Sequence, residues 1–178
     1  DFTHWGLKPW QLLHIQDESI QSYLHRHDSR FNAMKMTGQW ELQHPWYECF
    51  ISAAQLENLE ELLATLPLHY ATVVHIARVA PLGPSGFFQL PKDKEIFALM
   101  ILNPGLPTAL IPSCLETIKR LDALLLPQGG KRYLSGYLGD TPDKTFWQNH
   151  FEERYDAWMQ LKEQYDPQHI FCSVLHPE

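Results

Sequence analysis

The chain has 178 residues, of which 44% are apolar and 12% aromatic, and this is enough for one domain with a continuous core. Fourteen Lys and Arg against 21 Asp and Glu give a net charge of -7, and the scatter of both signs argues against nucleic acid or an anionic membrane as the main partner. The apolar runs are far shorter than the roughly 20 residues of a membrane helix, so we expect a soluble protein.

The cysteines and the first residues bear on the compartment and on the length of the native protein. Cys49, Cys114 and Cys172 lie far apart without CxxC spacing, which suits neither a disulfide framework nor a zinc site. We interpret them as buried thiols in a reducing compartment such as the cytoplasm. The chain starts at Asp1 with no Met and no signal-peptide pattern, which suggests a trimmed chain or a piece of a longer polypeptide.

The first half of the chain predicts three strands and two helices. Ser52 followed by Gln55 is a capping-box pattern, and leucines recur behind it at helical spacing. Aromatic and β-branched residues dominate the strand segments, and a turn rich in Gly and Pro joins the last two. In chain order the predicted elements are a helix within 17–27, a strand at 40–51, a helix at 53–65 and strands at 70–79 and 87–90.

The second half predicts two more strands and the longest helices. Apolar residues from Leu115 to Leu125 follow helical periodicity, and an aromatic stripe reaches Tyr165 after the helix-start signal at Pro142. The predicted elements are a strand at 95–102, a helix at 110–126, a strand at 131–138 and one or two helices up to 165. This order predicts an α+β fold, an antiparallel β-sheet with helices packed on one face.

Glu48 is an acidic residue within the predicted strand at 40–51. Strand alternation places Trp46, Glu48 and Phe50 on one face and Cys49 and its alternate neighbours on the other. An acidic residue between two aromatic ones is costly to bury without a partner, so this face is either exposed or a mostly apolar ligand pocket. Gln89, between Phe88 and Leu90, leaves the same two interpretations open.

Several familiar chemical signatures are missing from the sequence. Neither the GxGxxG nor the GxxxxGK[ST] pattern is present, so the chain holds no phosphate-binding loop of either type. Ten histidines make chance pairs common, and we interpret the densest group, His25 to Asp28, as a solvated loop rather than a metal site. A Gly-x-Ser-x-Gly nucleophile is also absent. The residues themselves therefore identify no catalytic or metal-binding group.

Four short motifs follow one another between residues 40 and 171. They are His44-Pro45-Trp46, Lys131-Arg132-Tyr133-Leu134, Trp147-Gln148-Asn149-His150-Phe151 and Lys162-Glu163-Gln164-Tyr165-Asp166-Pro167. In this order they resemble the C-terminal region of the cytokinin dehydrogenases, which are FAD enzymes of the vanillyl-alcohol-oxidase-like group. The resemblance implies the substrate-binding (cap) domain of a two-domain flavoenzyme that passes a hydride from a C–N or C–O bond to the flavin.

The resemblance also implies how the chain is divided into domains and which domain holds the cofactor. Residues 1–39 would be an irregular or helical lead-in, 40–171 the cap domain and 172–178 a tail. FAD would be held mainly by an N-terminal FAD-binding domain that this chain lacks, together with the carboxylate that takes a proton from the substrate. No catalytic residue is therefore carried over.

The site residues that the resemblance implies all lie in the cap. The cofactor-binding residue is Tyr133, near the isoalloxazine. The substrate-binding residues are Trp46, Glu48, Phe88, Gln89 and Leu134.

The chain departs from the family pattern at three places. Glu48 stands where the family usually has Asn, Phe88-Gln89-Leu90-Pro91 replaces a Tyr-Pro-x-Asn stretch, and the terminal Pro-Gly-Gln is not visible after Cys172. These departures leave the substrate open between a cytokinin and another small amine or alcohol. The rival interpretations are a noncatalytic α+β module that binds a ligand or partner without a flavin domain, and a structural dimerisation domain.

Overall fold

A four-stranded antiparallel sheet is the centre of the molecule. The computed structural model describes residues 17–59, 63–64, 66, 68, 72–80, 86–139 and 142–171. The sheet order is β2-β3-β1-β4. The strands are β1 (Tyr47–Ser52), β2 (Val73–Val79), β3 (Ile96–Leu102) and β4 (Lys131–Arg132).

The helices of the described residues are mostly short, and one of them, α4, provides the main cover of the sheet. They are α1 (Ile20–Leu24), α2 (Asp28–Met36), α3 (Ala53–Glu57), α4 (Ile111–Leu125), α5 (Lys144–Phe151) and α6 (Tyr155–Tyr165). No helix in this part of the chain is long and apolar enough to cross a membrane. The predicted α+β fold is confirmed.

One face of the sheet carries the core. Tyr47, Cys49 and Ile51 of β1 are almost fully buried and pack in one cluster with Leu99 of β3 and Leu121 of α4. The register of β1 against β3 places Glu48 beside Met100 and Phe50 beside Ala98 on the opposite side. We call this second side the open face. The alternation predicted for β1 is therefore confirmed.

The capping box predicted at the start of α3 is present. The Ser52 hydroxyl accepts from the Gln55 amide at 3.3 Å, and the Gln55 side chain accepts from the Ser52 amide at 3.0 Å. The same Gln55 side chain donates to the carbonyl of Leu125 at 2.8 Å, which ties α3 to the last turn of α4. A local sequence signal thus also connects two elements that are distant in sequence.

Four predictions of secondary structure are wrong in part or altogether. The strand predicted at 40–51 begins only at Tyr47, because residues 39–41 form a single 3₁₀ turn. Residues 87–90 are not a strand, and the strand predicted at 131–138 ends after Arg132. Their apolar and aromatic side chains look strand-like, but tertiary contacts of the rings hold them in turns and loops. The helix predicted within 17–27 covers only Ile20–Leu24, and α2 was not predicted.

Position 105 requires glycine, because the 3₁₀ turn at 39–41 lies too close to its backbone to leave room for a side chain. A Cβ at this position would overlap the carbonyl oxygen of Gln39 and lie 2.9 Å from Cβ of Leu42. The neighbouring bond from the Leu106 amide to the carbonyl of Gln43, at 2.9 Å, prevents the two segments from separating.

Gly105→Ala is therefore expected to lower the free energy of unfolding by about 1 to 3 kcal/mol, the usual cost of overpacking. Urea unfolding followed by circular dichroism measures this loss. Thr108→Ala, an exposed change in the next turn, is the control and should stay within about 0.5 kcal/mol of wild type. Equal stability of the two variants would contradict the predicted close contact.

Candidate functional site

A β-turn after β4 builds one wall of the candidate site. The Tyr133 amide still donates to the carbonyl of Glu48 at 3.0 Å, and the Gly136 amide then closes the turn on the carbonyl of Tyr133 at 3.3 Å. Pairing resumes where the Tyr137 amide donates to the carbonyl of Trp46 at 2.9 Å. The excursion carries Ser135 to the Glu48 carboxylate, where its hydroxyl donates to Oε2 at 2.6 Å.

Three rings gather on the open face beside this turn. The ring centroids of Phe50 and Phe88 are 5.3 Å apart, those of Phe50 and Tyr133 are 5.7 Å apart, and those of Phe88 and Tyr133 are 6.0 Å apart. All three pairs are edge-to-face, the arrangement that aromatic quadrupoles favour. Phe50 is almost buried, whereas Phe88 and Tyr133 are 43% and 40% exposed. We call these three residues the open-face aromatic cluster.

Two cavities meet at Tyr133. One, of about 260 Å³, lies over β1 and β3; its lining is Glu48, Cys49, Phe50, Ala98, Leu99, Met100 and Tyr133. The other, of about 290 Å³, lies beyond the turn; its lining is Phe87, Phe88, Gln89, Arg132, Tyr133, Leu134, Ser135 and His150. Both are mostly apolar with a few polar groups, as small-molecule sites usually are.

A buried ion pair beneath the sheet fixes β4. Nη1 of Arg132 contacts both carboxylate oxygens of Asp122 at 2.9 Å, and its guanidinium carbon lies 4.2 Å from the centre of the Tyr47 ring. The Arg132 side chain is fully buried, and its Nε donates to the carbonyl of Glu48 at 3.2 Å. Arg132 thereby anchors the strand that leads into Tyr133.

A second ion pair holds the far side of the site. Nζ of Lys131 lies 2.5 Å from Oε1 of Glu152, and Nζ of Lys92 lies 2.5 Å from Oε2 of the same carboxylate. Hydrogen bonds from these two lysines lower the pKa of Glu152 to about 2. His150 lies close by, and burial, with a smaller contribution from Lys131, lowers the pKa of its imidazole to about 4. His150 is thus a neutral ring near pH 7.

Trp46 belongs to a different cavity. Its Nε1 donates to the carbonyl of Asn103 at 2.9 Å, and its ring helps to line a cavity of about 610 Å³ between α2 and the end of β3. The Phe31 and Trp40 rings, 5.7 Å apart and edge-to-face, form another wall of that cavity. The sequence did not indicate this cavity, because the residues of α2 form no apolar stripe that would predict a helix packed against the sheet. In the structure, Met34 is the one buried residue of α2.

The predicted site residues therefore fall into two groups. Phe88, Gln89, Tyr133 and Leu134 line one cavity, and Tyr133 joins it to the cavity of Glu48. The Gln89 amide nitrogen is turned to the carbonyl of Phe87 at 3.1 Å. Trp46 does not line either of these cavities and lies instead in the cavity beside α2. Ser135, the partner of Glu48, was missed because its contact spans 87 positions and has no local signature.

Comparison with known proteins agrees with this geometry. The family model described as "Cytokinin dehydrogenase 1, FAD and cytokinin binding" matches residues 10–174. The chain therefore belongs to this family of FAD- and cytokinin-binding domains.

Individual relatives are distant but match most of the chain. Cytokinin dehydrogenase 1 of Oryza sativa subsp. japonica is 22% identical over 167 residues, which are 87% of this chain and 30% of the relative. Cytokinin dehydrogenase 3 of the same species is 25% identical over 176 residues, with coverages of 89% and 32%. Cytokinin dehydrogenase 5 of Arabidopsis thaliana is 23% identical over 141 residues, with coverages of 75% and 26%. The chain thus spans less than a third of the length of these relatives.

The described residues suit one part of FAD. Phe88 and Tyr133 are aromatic residues that are 43% and 40% exposed, and aromatic side chains of this kind suit a planar isoalloxazine. The sequence has no glycine-rich loop of the types that hold a pyrophosphate. The chain thus offers surface for the ring end of the cofactor and none of those loops for its phosphates.

Proposed function

We infer that this chain is the substrate-binding part of an FAD-dependent oxidoreductase, in which the open face covers the substrate above the flavin. FAD, when bound, accepts a hydride from a C–N or C–O bond of a small amine or alcohol. The domain would span residues 40–171, preceded by the lead-in and followed by the tail, and an N-terminal FAD-binding domain would hold most of the cofactor. The observation that carries this proposal is the open-face aromatic cluster, of which Phe88 and Tyr133 are exposed on the side of the sheet away from the core.

The residues of the open face would orient the substrate and exclude water. Tyr133 would face both the isoalloxazine and the substrate, because it lines both cavities. Glu48 and Gln89 would supply the polar contacts, while Phe88 and Leu134 would supply apolar ones. Trp46 would contact a substrate that extends past the first residue of β1 into the cavity beside α2. Gly136 lets the turn pack closely beside β1, since a Cβ there would lie 3.1 Å from the carbonyl oxygen of Trp46.

The first test is the visible absorption spectrum of the purified product of the complete native gene. A flavin spectrum that a panel of amines and alcohols, cytokinins included, bleaches under anaerobic conditions is the expected result. A colourless product would contradict the proposal and would favour a noncatalytic binding module.

Tyr133→Ala in the native protein tests the role of the open face. Because an aromatic contact contributes about 0.5 to 1.5 kcal/mol beyond its buried area, kcat/KM for flavin reduction should fall about tenfold or more. Tyr133→Phe should keep most of the activity, since it keeps the ring. Tyr165→Ala, a tyrosine that is 74% exposed on α6, is the matched control and should leave kcat/KM unchanged. Equal activity of Tyr133→Ala and the control would contradict the assignment.

A further inference from the structure

The Glu48 carboxylate has one protein partner in the described part of the chain. Its Oε2 accepts from the Ser135 hydroxyl at 2.6 Å, and no described residue donates to Oε1. The side chain is half-buried on the open face, and its neighbour across the sheet is Met100. Glu48 is therefore an acidic group with spare acceptor capacity in largely apolar surroundings.

The basic residues closest in the sheet are engaged elsewhere. Arg132 points to the core face and pairs with Asp122. Lys131, only 7% exposed, contacts Glu152 and donates to the carbonyl of Asn149 at 2.8 Å. Within the residues that the structure describes, none forms an ion pair with Glu48. A partly buried acidic group without a positive partner is unfavourable, so a ligand that brings one gains binding energy.

The rings around Glu48 favour the same kind of ligand. Phe50 and Tyr133 line the cavity of about 260 Å³ together with Glu48. The faces of aromatic rings attract cations, and this attraction acts in the same direction as the acidic group. The cavity is large enough for a six-membered ring that bears a small substituent.

We propose that Glu48 is the acidic anchor of a cation-selective subsite, which binds the ammonium or amidinium group of a small, partly aromatic ligand. The carboxylate would accept hydrogen bonds from the ligand nitrogen, and Ser135 would hold Oε2 in place. The proposal rests on the proposed function in one respect, namely that the open face is the substrate surface. It adds that the substrate of this protein is positively charged at a point away from the reacting bond.

Three small probes of the same shape test the charge preference by calorimetry on the native protein. They are benzamidinium, which is cationic, benzamide, which is neutral, and benzoate, which is anionic. Benzamidinium has no hydrogen on the carbon that bears its nitrogens, so it cannot give up a hydride there and binding is measured without turnover. The expected order of affinity is benzamidinium, benzamide, benzoate, with at least a tenfold step between the first two, as for a charge-assisted hydrogen bond.

Glu48→Gln assigns the preference to this residue. The change keeps the shape and leaves an amide that can still contact Ser135, and it should reduce the benzamidinium-to-benzamide ratio to about twofold or less. Glu57→Gln, an exposed change on α3, is the matched control and should keep the full ratio. If Glu48→Gln fails to fold, equal binding of benzamidinium and benzamide by the wild-type protein still overturns the proposal.

The outcomes separate this inference from the proposed function. A protein that contains flavin but binds benzamide as tightly as benzamidinium would overturn the cation-selective subsite and leave the oxidoreductase proposal intact. A colourless protein that shows the full charge preference, lost in Glu48→Gln, would support the subsite and overturn the flavin assignment. If Glu48→Gln leaves the benzamidinium-to-benzamide affinity ratio unchanged, another residue causes the charge preference. That result would overturn the proposal.

Discussion

Asp122→Ala is expected to lower the free energy of unfolding by about 3 to 5 kcal/mol, the cost of leaving a buried charge without its partner. The Asp122 carboxylate accepts from Nη1 of Arg132 at 2.9 Å and from the Tyr47 hydroxyl at 3.2 Å. The Arg132 side chain is fully buried, whereas the Asp122 side chain is 24% exposed, so water replaces the missing carboxylate only in part. Urea unfolding followed by circular dichroism at neutral pH measures the loss.

Two further variants make this prediction specific. Glu116→Ala, an exposed change on the same helix α4, is the control and should cost less than about 0.5 kcal/mol. Asp122→Leu combined with Arg132→Met removes both charges, and apolar replacement of a whole buried pair is often neutral or stabilising. The double variant should therefore recover most of the lost stability. A loss below about 1 kcal/mol in Asp122→Ala would show that Arg132 does not depend on this carboxylate.

Much of the sheet and of its main helix could be predicted because their signals are local. Alternation in β1 places Tyr47 in the core and Glu48 on the open face, and the structure has the same arrangement. Leucines at helical spacing predict α4 to within a residue at each end. The capping box at Ser52 predicts the first residue of α3. Each of these signals lies within the element that it specifies.

The turn after β4 could not be predicted in the same way. The segment from Tyr133 to Tyr137 alternates like a strand, yet hydrogen bonds to Glu48 and Trp46 hold it as a turn beside β1. These contacts join residues more than 80 positions apart, so nothing local specifies them. The open-face aromatic cluster depends on this turn and on the loop that carries Phe88, and therefore only the structure shows which rings meet.

Glu152→Ala is expected to lower the free energy of unfolding by about 3 kcal/mol, the lower end of the range for a broken buried pair, because the carboxylate is one-third exposed. Among the described residues, Lys131 would keep only the carbonyl of Asn149 as a partner, and its side chain is 7% exposed. Glu152 has a positive φ of 49°, and alanine keeps the same Cβ, so the backbone strain is unchanged. Glu153→Ala is the matched control, since this exposed neighbour contacts only Lys92 among the charged groups described, and it should cost far less stability than Glu152→Ala.

The pH dependence of the same variant tests the cause. The pKa of Glu152 is lowered from 4.5 to about 2, mainly by hydrogen bonds from Lys131 and Lys92. Because the folded pKa lies below the unfolded one, this stabilisation is complete above about pH 4.5 and is lost as the pH falls towards 2. The stability difference between wild type and Glu152→Ala should therefore shrink over this interval, by about 1 to 2 kcal/mol after allowance for solvent screening. A difference that stays constant from pH 7 to pH 2 would mean that Glu152 acts through packing rather than through its charge on Lys131.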